Sequence, residues 1–187
     1  MAVLVEALSV IVRRDAINTR FVGGWDAFLA IVPNNTLCFD EDLVRVGFMT
    51  PADTEAFVKN VEREGLRFLC DERSVDIAVV DQMRGLTMPA QWLEFAYLSL
   101  GEAGNRVAAC WLFEGPRIAA GIHIPFKGMA LVTPKGWVYE RSLSSNFTFV
   151  ENENIQEKLK FLRREDGMDV YLDRTTEKEL YLARPPI

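Results

Sequence analysis

Val75-Asp76-Ile77-Ala78-Val79-Val80-Asp81-Gln82 is a short apolar run, β-branched at Val75, Ile77, Val79 and Val80. Arg73-Ser74 precedes it and Met83-Arg84-Gly85 follows it. A run of this length and composition reads as a strand buried on both faces inside a sheet, although its periodicity alone is shared with a buried helical turn. Asp76 and Asp81-Gln82 put polar groups at its two ends, and a buried carboxylate is costly unless it is paired. The chain before it reads as one α/β half, and the chain after it as mainly antiparallel.

Working back toward the N-terminus, residues 3–13 carry two apolar faces, with Leu4, Leu8, Val10 and Val12 on one and Val5, Ala7 and Ile11 on the other. This predicts one inner strand with Glu6 near its exposed end. Asp15 can cap a short helix that stops at Gly23-Gly24. Trp25, Phe28, Leu29 and Val32 fall at helical spacing and end at Pro33. Thr36–Phe39 and Leu43–Phe48 read as paired strands around Asp40-Glu41-Asp42, with Val44, Val46 and Phe48 on one face. Thr50-Pro51-Ala52-Asp53 is a helix start: a capping hydroxyl, Pro at the first helical position and a carboxylate three residues on. That helix points Phe57 and Val61 inward and ends at Gly65, and Arg67–Cys70 follows as a further short strand. Strand, helix, strand, strand, helix, strand is the order of a ferredoxin-like βαββαβ unit, so the expected fold is α+β.

Beyond Gln82, Trp92–Leu100 and Arg106–Phe113 predict a hairpin around Gly101 to Asn105. Both of its faces are apolar and need cover. Ile118–Ile124 and Met129–Val132 are short strand candidates, and Trp137–Leu143 a longer one. Asn154 to Glu157 opens a predicted helix with Ile155, Leu159 and Leu162 inward, which Gly167 ends. Met168, Val170 and Leu172, then Leu180 and Leu182, alternate as a terminal hairpin. No linker or repeat interrupts the chain, so residues 1–187 are expected to form a single domain, with a boundary between 1–85 and 86–187 as its one natural subdivision.

Composition narrows the function. The net charge of −6 and the scatter of Lys and Arg speak against a nucleic-acid surface. No apolar run is long enough to span a bilayer, and Met1–Val12 lacks the basic start and small-residue cleavage site of a signal peptide. A cytoplasmic protein with free, buried thiols is the expectation. Cys38, Cys70 and Cys110 are too far apart for a metal-binding spacing, and no metal site or cofactor is expected. No phosphate loop, nucleophile elbow or zinc-protease motif is present.

The candidate residues are therefore few. His123 is the sole histidine. A thiolate–imidazolium pair with Cys110 is chemically conceivable, but the apolar setting of Cys110 disfavours the thiolate. Asp76, Asp81, Glu94 and Glu140 interrupt apolar strands, with Arg106 and Arg141 at comparable places. Carboxylates so placed serve acid–base work or ion binding, and more often form internal ion pairs or mark solvent-facing edges. Trp92, Trp111 and Trp137 all fall in the second half and form either core or a pocket wall. The binding candidates are Asp81, Gln82, Arg84, Trp92, Glu94, Trp111 and His123, with no catalytic set. The reading they support best is a non-catalytic binding or protein-interaction domain, self-associating as a homodimer through the apolar hairpin near Trp111 or Phe113. The alternative is a small-molecule-binding domain or enzyme using carboxylates near Asp81–Arg84 with Trp92 and Glu94.

Overall fold

A computed structural model describes residues 1–100, 105–113, 130–146, 159–165, 168–173 and 179–183. Within them the chain is a mixed α/β protein, richer in strand than in helix. The predicted strand over residues 3–13 is two strands. β1 (Ala2–Val5) and β2 (Leu8–Arg13) are separated by a corner at Glu6-Ala7, where Ala7 takes a left-handed φ of 48°. A residue with a Cβ adopts that region only when its surroundings hold it there. Gln82 holds it: its Oε1 accepts from Ala7 N at 2.8 Å, and its own backbone N donates to Ala7 O at 2.8 Å. Glu6 thus lies at a half-buried corner and not at an exposed strand end.

The corner sends one chain into two sheets. Helices α1 (Arg14–Arg20) and α2 (Gly24–Ile31) follow β2, then β3 (Cys38–Phe39), β4 (Leu43–Phe48) and α3 (Pro51–Arg63). The small hairpin β5 (Leu69–Cys70) and β6 (Arg73–Ser74) stands apart, and β7 (Ile77–Asp81) and β8 (Gly85–Leu86) complete the run. The first sheet has the order β3-β4-β2-β7-β8, antiparallel throughout. The second has the order β11-β1-β10-β9, built from β1, β9 (Leu93–Leu100), β10 (Asn105–Leu112) and β11 (Leu131–Val132).

Side-chain alternation then assigns three layers. Leu8, Val10, Val12, Val44, Val46, Ile77 and Val79 face the helices, meeting Ile17, Phe28, Phe57 and Val61. The opposite faces of the two sheets meet through Val3, Val5, Ile11, Leu43, Ala78, Val80, Leu93, Ala108 and Cys110. Leu4 parts company with Leu8 at the corner and turns outward with Ala2, Leu98, Val107 and Ala109, under Trp111, Trp137 and Tyr139. Both faces of the hairpin β9–β10 are thus covered at least in part by the chain itself. β7 is buried on both faces, and its leading carboxylate, Asp76, is paired. Its Oδ2 accepts from Arg67 N at 3.0 Å and from Arg20 Nη1 at 3.2 Å, and its Oδ1 lies 3.0 Å from Arg20 Nη1 as an ion contact without hydrogen-bond alignment.

Three local expectations fail for identifiable reasons. Residues 137–143 form no strand, because Trp137, Arg141 and Ser142 each donate to the carbonyl three residues back, giving tight turns that include a 3₁₀ turn at Tyr139–Arg141. The hydroxyls of Ser142 and Ser145 accept this geometry by bonding Tyr139 O and Ser142 O, in competition with a ladder. Residues 159–165 are β12 (Leu159–Glu165) and not helix; it pairs with β13 (Met168–Asp173), which pairs in turn with β14 (Glu179–Ala183). A register shift between Phe161 and Arg163 breaks the strand's alternation, which is why its apolar spacing imitates a helix. Helix α1 begins two residues earlier than a cap at Asp15 requires, and Asp15 bonds Arg13 and Ala16 N from within the first turn. The predicted strand Ile118–Ile124, the helix start at 154–157 and most of the turns at 101–105 and 173–178 lie outside the described residues.

Gln82→Ala leaves the Ala7 amide without its acceptor in a half-buried corner and is expected to cost about 2–3 kcal/mol. Ala7→Gly, which suits the backbone better but frees the unfolded chain, is expected to fall within about 1 kcal/mol of wild type. Urea unfolding checks both, and equal effects of the two substitutions would contradict the clamp.

Candidate functional site

Where the two sheets diverge beside the corner, the described residues enclose an open cleft of about 910 Å³. Its walls are α3, the segment after α2 and the turn Pro134–Trp137, and its floor is the end of β4. The floor is polar because Ser9, Arg45 and Gly47 occupy the positions that elsewhere on β2 and β4 carry interlayer apolar groups. Arg45 is 2% exposed. Its Nε donates to Ser9 Oγ at 3.0 Å, Nη1 to Thr36 O at 3.0 Å and Nη2 to Glu6 O at 3.1 Å. Burial lowers its affinity for the proton, and the nearby Cys38 and Glu6 oppose that shift. Cys38 itself is pushed up to about 11 by burial, so it is a neutral thiol at physiological pH.

Gly47 is required by this arrangement. A Cβ there would collide with the Arg45 guanidinium, which lies over it. Where β3 stops, the outer edge of β4 is closed by side chains. Thr36 Oγ1 accepts from Gly47 N at 2.7 Å, and Asn34 Nδ2 donates to Gly47 O at 2.8 Å. Asn34 Oδ1 in turn accepts from Thr36 N and Oγ1. The two carboxylates facing the cleft are engaged. Glu6 Oε1 accepts from Ser144 N at 3.0 Å and Ser144 Oγ at 2.7 Å. Asp53 accepts from Thr50 Oγ1 at 2.7 Å, and Asp53 N donates back to that oxygen at the start of α3. Arg63 and Lys135, at the mouth, are exposed.

The residues singled out in the sequence stand elsewhere. Asp81 is buried at the end of β7, with Oδ1 accepting from Met83 N at 2.8 Å and Arg84 N at 3.0 Å; burial raises its pKa against those two bonds. Arg84 is exposed on the same turn. Gln82 is the corner clamp, and its Nε2 also donates to Ser144 Oγ at 3.3 Å. The aromatic that meets this turn is Tyr97, whose hydroxyl donates to Gln82 O and Met83 O at 3.1 and 2.8 Å. Trp92 lies against the interlayer core and donates to Ser74 O at 3.0 Å. Glu94 is paired in register with Trp111 and so shares the outer face of the second sheet. Asp81 and Gln82 therefore stand together, whereas Trp92 and Glu94 do not join them in one pocket. His123 lies outside the described residues. The sequence places Val44, Val46 and Phe48 on one face of their strand but gives Arg45 and Gly47, which alternate with them, no role of their own. The one signal available was an Arg and a Gly alternating with Val44, Val46 and Phe48.

Cys38 and Cys110 are buried, and burial raises both pKa values; Cys70 is exposed on the small hairpin, against the expectation that all three thiols are buried. An aromatic disulfide reagent at neutral pH is expected to modify Cys70 quickly and the other two only on unfolding. Fast modification of Cys110 in native protein would contradict the packing. Gly47→Ala is expected to cost about 2–4 kcal/mol by displacing the buried guanidinium from its acceptors, measured by urea unfolding, and a neutral effect would contradict the floor geometry. No protein-family model, curated protein or solved structure matches this chain.

Proposed function

We propose that this chain is a non-catalytic binding domain that takes its ligand in the cleft beside the corner. The observation that carries the reading is that five polar residues of the cleft's lining are already held in place. Asn34, Thr36, Arg45, Glu6 and Asp53 are each held by hydrogen bonds to other parts of the protein. A preorganised lining loses little freedom when a ligand arrives, and carboxylates engaged in this way are poorly placed for proton transfer.

The wider frame is of the same kind. The run β2-α1-α2-β3-β4-α3-β7 is read as a ferredoxin-like unit, supported by the antiparallel order β3-β4-β2-β7. Three unpaired thiols, two of them buried, support a reducing, cytoplasmic setting. Self-association through the outer face of the second sheet is supported by the half-buried Trp111 there. Sedimentation at micromolar concentration is expected to give a dimer that Trp111→Glu dissociates, and a wild-type monomer would remove the dimer from this reading.

An NMR screen of small fragments against the full chain tests the cleft. Shift changes are expected to cluster on the amides of Asn34, Gly47, Asn60 and Gly136. Ala56→Trp, placed on the exposed wall of α3, is expected to abolish them without unfolding the protein. Clustering on Asp81–Arg84 instead would favour the alternative, a small-molecule site on the turn where buried Asp81 meets Tyr97.

A further inference from the structure

The floor of the cleft holds a buried cation without a counter-charge in contact. A guanidinium carries five N–H donors. On Arg45 three are engaged, and all three acceptors are neutral: two main-chain carbonyls and a serine hydroxyl. No ion pair joins Arg45 to a carboxylate among the described residues. Glu6, whose main-chain oxygen Arg45 bonds, directs its carboxylate to Ser144, so its charge acts on Arg45 only through space. Buried charges in proteins are normally paired because desolvation is costly. Here the unpaired charge sits at the bottom of a cleft that opens to solvent.

The rest of the lining has the same bias. Arg63 and Lys135 stand at the mouth, exposed, with no ion pair among the described residues, while Glu6 and Asp53 are both held by hydroxyls. This excess of positive charge occurs on a chain of net charge −6. The lining also carries apolar side chains, among them Ile31, Pro33, Met49 and Trp137. The volume, about 910 Å³, lies in the range of small-molecule sites. Only a slim group reaches a side chain as buried as Arg45, and the planar fork of a guanidinium matches a carboxylate.

We propose that the cleft binds a small organic acid, its carboxylate directed to Arg45, its apolar body along Ile31, Pro33, Met49 and Trp137, and Arg63 and Lys135 drawing it in at the mouth. This rests on the cleft being the recognition site. The ligand's negative charge provides the compensation that the chain leaves out, so affinity depends on charge more than on the shape of the apolar body.

The test is titration calorimetry of the full chain with 3-phenylpropionate and its neutral counterpart 3-phenylpropanamide at fixed ionic strength, with NMR mapping of both. The acid is expected to bind about tenfold or more tighter than the amide. Arg63→Ala with Lys135→Ala, both on exposed positions, is expected to weaken the acid about three- to tenfold and leave the amide unchanged. Arg45→Met is expected to erase the preference for the acid; should it fail to fold, the surface pair still decides the matter. Equal affinity for acid and amide, with both mapping to the cleft, overturns the proposal and leaves the cleft as a binding site. Binding of neither in the cleft removes the reading beneath it. A peptide with a free C-terminal carboxylate that binds the cleft where phenylpropionate does not overturns the small-molecule assignment.

Discussion

Two hydrogen bonds between Gln82 and the backbone of Ala7, one donated each way, hold the architecture together. Ala7 sits in a left-handed conformation that a residue with a Cβ adopts at a cost. Both of its backbone groups are satisfied by one residue at the end of β7. Because the chain turns there, β1 pairs with β10 and β11 while β2 pairs with β4 and β7. A straight strand would keep Leu4 on the face of Leu8. The corner instead sends Leu4 to the outer layer and brings Val3, Val5 and Ile11 into one interlayer core. The helices then cover one face of the first sheet and the second sheet covers the other.

The same corner creates the site. Beside the bend, Ser9, Arg45 and Gly47 stand where β2 and β4 elsewhere carry interlayer apolar groups, so aliphatic side chains do not fill the space there. It is filled instead by a connected polar group: Glu6, Ser9, Arg45, Thr36 and Ser144. Gln82 reaches this network through Ser144, so the residue that sets the fold also positions the floor of the cleft. Fold and site are therefore coupled by a few side chains.

Much of this was legible in the sequence. The β-branched run ending at Gln82, the cap at Thr50 and the hairpin of Trp92–Leu100 with Arg106–Phe113 all appear where their residue types put them. Local chemistry settles such features, since a capping hydroxyl or an alternating strand carries its own signal. The corner does not announce itself. Ala7 is neither Gly nor Asn, and its conformation depends on a side chain 75 residues away. Without the corner, Glu6 reads as a strand end, and nothing local marks Arg45 as buried. Gln82 reads as a polar group beside a buried strand, and the structure gives its partner as the backbone of Ala7. The segments 137–143 and 159–165 depart from their apolar spacing for a different reason: serine hydroxyls and a strand irregularity set the backbone where that spacing alone is ambiguous.

If the clamp on Ala7 is what the structure depends on, the Ala7 amide belongs to the most stable part of the protein even though it lies in a turn. Native-state hydrogen exchange followed residue by residue measures this directly. The account predicts that the Ala7 amide exchanges only with global unfolding, with the same opening free energy and denaturant dependence as Val10 and Val79 amides in the central strands. Exchange of Ala7 through a low-energy local opening, while β2 and β7 stay protected, would contradict it.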